Sequence, residues 1–130
     1  MTQPPYGSGP PAGNAASDDK MWILAAHFGG VLFGFIPSLV AYLVKGKESA
    51  AVRTHAAAAL NFQIFVAAVY LVVIILQVCA AFVLPTVLVA MMTFVFYGIW
   101  IGNAILSVMA GIKANNGELY RYPTPVRLVS

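Results

Sequence analysis

THAAAALNFQIFVAAVYLVVIILQVCAAFVLPTVLVAMMTFVFYGIWIGNAILSVMAGI, residues 54–112, contains no formally charged side chain over 59 residues. A membrane-crossing helix needs about 20 apolar residues, so the run is too long for one crossing and suits two. Pro85 with Thr86 is its one strong punctuation, which places a tight turn at residues 83–87. The predicted result is a helical hairpin with helices at about 50–82 and 88–114. At 1.5 Å per residue the first helix is about 50 Å long, against about 30 Å of hydrocarbon. Its opening turns, with Arg53 and His55, are therefore expected in or above the interface. Asn115, Asn116 and Gly117 supply the stop signal for the second helix.

Working outward, Lys45, Lys47, Glu48 and Arg53 form a polar connector ahead of the run. Ser49 has the side chain of an N-cap, and the alanines from Ala50 favour helix. Residues 21–44 are again free of formal charge, and these 24 residues suffice for one crossing. Gly29, Gly30, Gly34 and Pro37 interrupt this segment, which predicts a kink at residues 35–37. The expected form is a single kinked span; the alternative is a re-entrant hairpin that dips in and turns back. A cleaved signal peptide fits poorly, because the preceding residues are net negative and the apolar stretch outruns a signal core. Residues 1–20 are rich in proline (Pro4, Pro5, Pro10, Pro11) and glycine (Gly7, Gly9, Gly13). They bury too little to offset the entropy of ordering, so a disordered tail is expected.

The predicted fold class is thus an all-α integral membrane protein. It has three membrane helices within residues 21–114, the first kinked or re-entrant between Gly34 and Pro37, and a C-terminal cytoplasmic tail at residues 115–130. Composition agrees. Only 8% of the 130 residues are charged, against about 25% in soluble domains, and mean hydropathy is +0.85. The net charge of +3 rests on seven scattered basic residues, which form no nucleic-acid patch. Cys79 is the single cysteine, which excludes an internal disulfide and a cysteine-based zinc site.

Six of the seven basic residues, Lys45, Lys47, Arg53, Lys113, Arg121 and Arg127, fall in the connector and the C-terminal region. Against Glu48 and Glu118 they give those regions a net charge of +4. The positive-inside rule then puts both in the cytoplasm of a multi-pass cell-membrane protein, with the N-terminus outside if the first segment spans. The six cations are expected to anchor the chain to anionic lipid headgroups, each contributing on the order of 1 kcal/mol.

Polar residues within lipid are costly and need partners. Gln63, Tyr70 and Gln77 are seven residues apart on the second segment, and Thr93, Tyr97, Ala104, Ser107 and Gly111 share a direction on the third. His27, Gly34, Ser38 and Ala41 form a stripe on the first segment with Gly30 beside it. Facing one another, these stripes serve as interhelical hydrogen-bond glue; the other reading is the lining of a polar path. Gly30-Val-Leu-Phe-Gly34 and Gly98-Ile-Trp-Ile-Gly102 match the small-xxx-small contact pattern, so all four glycines are candidate packing positions. His27 is expected at a helix contact and His55 in the interface. Neither apolar region contains Asp or Glu, so no paired carboxylate, metal-ligand set or activated nucleophile is legible. No enzyme activity, cofactor or metal is expected.

Two stretches carry a family resemblance. Val52-Arg-Thr-His55-Ala-Ala-Ala-Ala-Leu60-Asn61-Phe62-Gln63 opens the second segment, and Ile112-Lys113-Ala-Asn-Asn-Gly117-Glu118-Leu-Tyr120-Arg121-Tyr122-Pro123 closes the third. With Trp22, Ala26, His27 and Gly34-Phe35-Ile36-Pro37, they resemble a bacterial membrane family of unknown function grouped with the chloroplast inner-envelope protein-import component. The resemblance covers about residues 21–128. It implies an all-helical membrane protein of three or four segments and, at most, a part in moving or inserting polypeptides. The chain departs from the family in having Ala57 and Ala58 where members often carry a charged pair, which weakens any ionic role for the helix entrance. The stretch after Pro37 is also short, which favours a single kinked span.

The expected function is a small non-enzymatic membrane protein, an accessory or assembly subunit acting through helix packing with other membrane proteins or copies of itself. The alternative is an oligomeric pore or polypeptide-translocation component. Besides the glycines, Asn61 with Gln63 and the tail at residues 120–123 are the candidate working parts.

Overall fold

Pro85 divides the long apolar run. Leu84 is extended (φ −108, ψ 151), as the residue before a proline must be, and a new helix begins at Thr86. The structure is a computed structural model that describes residues 12–130, with side chains from residue 16 onward. Its helices are α1 (Ala12–Phe33), α2 (Ile36–Val44), α3 (Ala50–Val83) and α4 (Thr86–Asn115), with a single 3-10 turn at Lys45–Lys47. No strand occurs among the described residues. Ser49 caps α3, its Oγ accepting from the Val52 N–H at 3.3 Å. Gly117, at φ +82, ends α4, and the Glu118 N–H closes back onto the Lys113 carbonyl at 3.0 Å.

Two helices, α3 and α4, are long and apolar enough to cross a membrane. The third expected crossing, at residues 21–44, is not one helix. Gly34 adopts φ +59, the left-handed region open to glycine, and α2 restarts with Pro37 in its first turn. The chain reverses instead of kinking. α1 and α2 run alongside each other so closely that a Cβ on Gly29 would sit 2.7 Å from Pro37. Their outer ends meet as well: Asp18 pairs with Lys45 at 2.9 Å, and Ser49 donates to Asp19 at 2.6 Å. From Asp18 to Phe33, α1 rises about 24 Å, short of a 30 Å core. The segment is therefore a short hairpin, which corrects the single kinked span. It also corrects the expectation that the residues before it face away from the connector.

The predicted tail is shortened by the same contacts. Residues 12–20 belong to α1, with Asp18 and Asp19 bound to the connector. The remainder of the tail, residues 1–11, lies outside the described residues.

The α1–α2 hairpin packs on the first half of α3 and the last half of α4. The core there is built from Ile23, Ala26, Ala41, Val52, Ala56, Ala59 and Ala114, with Trp22, Leu24, Tyr42 and Tyr122 around it. Five alanines in this set let the helix backbones approach closely. Beyond it the α3–α4 hairpin continues alone, and between residues 67 and 102 only Ala80 is buried. The molecule thus has a packed base of four helices, carrying the connector and the tail, and a bare two-helix far end.

Candidate functional site

The base brings together the two stretches that carried the resemblance. Asn61, buried on α3, holds the tail as a neighbouring strand would: its Oδ1 accepts from the N–H groups of Leu128 and Val129 at 2.7 and 2.8 Å. Its Nδ2 donates to the Val129 carbonyl at 2.7 Å. Arg53, two turns earlier, donates to the Ser130 backbone oxygen at 3.0 and 3.2 Å, and its guanidinium covers the Tyr42 ring. The Tyr42 hydroxyl donates to the same oxygen at 2.7 Å. The tail has no regular secondary structure, so these side chains fix its position.

Tyr122 reaches inward from the tail. Its ring stacks on Phe62 with centroids 4.3 Å apart, and its hydroxyl shares a 2.9 Å hydrogen bond with Nδ1 of His27. Burial pushes the Tyr122 phenol well above its ordinary range. The other ring nitrogen of His27 lies 3.3 Å from Nδ1 of His55. Both histidines are buried among the helices, and the sequence did not show that they meet. His27 of α1 packs edge-on against His55, with ring centroids 5.6 Å apart.

The polar stripe is divided. Gln63 donates to Asn103 Oδ1 at 3.0 Å and to Ser107 Oγ at 3.1 Å, joining α3 to α4 inside the base. Gln77 donates to Thr93 at 2.9 Å near the far end. Between them the Tyr70 ring lies 4.8 Å from Phe96, and its hydroxyl is buried without a hydrogen-bond partner among the described residues. Tyr97 is exposed, with its ring edge-on to Phe96 at 6.0 Å. Asn103 was missed at the level of sequence, although it precedes Ser107 by one helical turn.

The four glycines occupy different situations. Gly30 is pressed against the Gln63 side chain, where a Cβ would collide with Nε2. Gly34 makes the α1–α2 turn and has open space around it. Gly98 and Gly102, on the bare part of α4, face no atom within 4 Å of where a Cβ would stand.

The basic residues gather at the base. Lys45 is held above the ordinary lysine range by its hydrogen bond to Asp18 and then by that to Glu48. Lys47 is exposed in the 3-10 turn, and Lys113 lies 3.7 Å from Glu118 and over the Tyr120 ring. Arg53, Arg121 and Arg127 line a cavity of about 350 Å³ between the opening of α3 and the tail. Among the described residues, no group of three or more His, Cys, Asp or Glu is placed to hold a metal ion.

An all-helical chain with a bare apolar hairpin and a polar, closed base has the make-up of a membrane protein. The magnetosome magnetite crystal formation protein family matches residues 18–129, and the chain belongs to that family. No curated protein and no solved structure matches it. The family is bacterial, as the resemblance implied, and the match shows no link to the plastid import component. Membership and the two long apolar helices together point to a membrane location.

Proposed function

We propose that this chain is a non-enzymatic, multi-pass assembly subunit of the membrane around a biomineral, acting by packing its α3–α4 hairpin against neighbouring membrane proteins or further copies of itself. The observation that carries this reading is the far end of the hairpin, mostly apolar, where only Ala80 is buried between residues 67 and 102. Gly98 and Gly102 give its α4 side a smooth strip where another helix can approach. The family supplies the process: its members are named for magnetite crystal formation.

Assembly is favoured over direct contact with mineral by the state of the carboxylates. Hard oxygen ligands are what an iron mineral would use. Asp18 and Glu48 are paired with Lys45, Asp19 with Ser49, and Glu118 with Lys113. No observation favours a pore or translocation component, because Gln63 and Gln77 satisfy themselves on neighbours in two separate places.

Orientation follows the charge. The base, with all its cations, is assigned to the cytoplasmic side and the 83–87 turn to the opposite side. The test of assembly is Gly98→Leu or Gly102→Leu, made in the full chain and extracted in mild detergent. Each substitution should leave membrane insertion intact and remove the slow-migrating species on a native gel. Unchanged migration would refute packing through this face.

A further inference from the structure

The arginine-lined cavity at the base is not used by the assembly reading and does not depend on it. Arg53, Arg121 and Arg127 line it, and no carboxylate side chain is among the described residues that do so. The four acidic residues of the chain are committed elsewhere, to Lys45, Ser49 and Lys113. Arg53 is engaged by the Ser130 backbone oxygen and the Tyr42 hydroxyl. Arg121 and Arg127 make no hydrogen bond or ion pair with a described residue.

Three arginines lining one space make it positively charged, which favours an anion there. Arg121 and Arg127 are brought to Arg53 by a tail whose position is set through Asn61 and the stacking of Tyr122 on Phe62. The backbone that carries Arg121 and Arg127 is thus anchored, while their exposed side chains are left for a ligand. We propose that this cavity binds a phosphate-bearing anion, with Arg121 and Arg127 as its principal ligands. Arginine's planar fork fits phosphate oxygens two at a time, which a lysine cannot do. The volume of about 350 Å³ lies within the roughly 300–1,000 Å³ of small-molecule sites, so it admits a phosphate together with the group esterified to it. Thr124 and Tyr120 also line the space. Leu119, an exposed apolar residue, lines the cavity too. Two sources share this chemistry: the headgroup of an anionic lipid, and a free phosphate in solution.

The test uses the full chain with two probes. Inorganic phosphate is titrated against the detergent-solubilised protein and followed by thermal unfolding. In parallel, the protein is placed in discs of phosphatidylcholine containing phosphatidic acid, and retained lipid is counted by native mass spectrometry. The variant R121Q/R127Q is set against K20Q/K47Q, which removes the same charge from the same end but away from the cavity. Binding of at least one probe should weaken about tenfold or more in the arginine variant, as expected for loss of charge-assisted hydrogen bonds, and stay within about twofold in the lysine variant. A response to inorganic phosphate identifies a soluble ligand; retention of phosphatidic acid alone identifies a headgroup. R121K/R127K, which keeps the charge and loses the fork, should also bind more weakly, and it guards against a folding defect in the glutamine variant. Equal losses in the arginine and lysine variants, full binding by R121K/R127K, or no binding of either probe by the unaltered chain would overturn the proposal.

Discussion

Asn61 spends its whole amide on a stretch of chain more than sixty residues away. Replacing it with Ala removes three hydrogen bonds and leaves the Leu128 and Val129 N–H groups without that acceptor, a local cost of about 1–3 kcal/mol. Amide exchange at those two residues should then quicken about tenfold or more in Asn61→Ala, while the middle of α3 keeps its protection. Unchanged exchange would mean that Arg53 and Tyr42 suffice to hold the tail. The sequence showed Asn61 and Gln63 as polar residues where a helix enters lipid, and so as residues in need of partners. It could not show the partner of Asn61, because backbone amides have no side-chain signature. Asn103 and the meeting of His27 with His55 escaped for a related reason. Each depends on which helix face another element covers.

At the scale of elements, the α1–α2 hairpin turns on Gly34. Nothing lies within 4 Å of a Cβ there, so a substitution meets only the backbone penalty of φ +59. Gly34→Ala should therefore destabilise the chain by about 1–2 kcal/mol, read by denaturant titration in detergent. Gly98→Ala, at a helical and open position, should be neutral or slightly stabilising. Equal stability of the two variants would show that the turn is not held in the left-handed region. The long α3–α4 hairpin was legible almost to the residue, since an uncharged run, one proline and one serine cap fix it locally. The α1–α2 hairpin was only half legible. Gly34 and Pro37 marked a break, but kink and reversal differ in the sign of one dihedral and in whether Asp18 meets Lys45. Both are settled by tertiary packing.

Across the whole molecule, every charged residue sits at the base, and the far end carries none. In a Cys79→Ser background, Ala16→Cys and Asn116→Cys should react with a membrane-impermeant maleimide from the same side, and Val83→Cys from the other. Labelling of Ala16→Cys together with Val83→Cys would restore the single-span topology. The base and the far end also differ in girth. Four helices stand side by side where the α1–α2 hairpin is present, and two where it is not. In the orientation proposed above, with each helix about 10 Å across, the molecule would occupy roughly twice the area in one monolayer that it does in the other. Such a wedge would be relieved with the wider monolayer on the convex side of a bent bilayer, so under that orientation many copies would favour a small closed vesicle over a flat sheet.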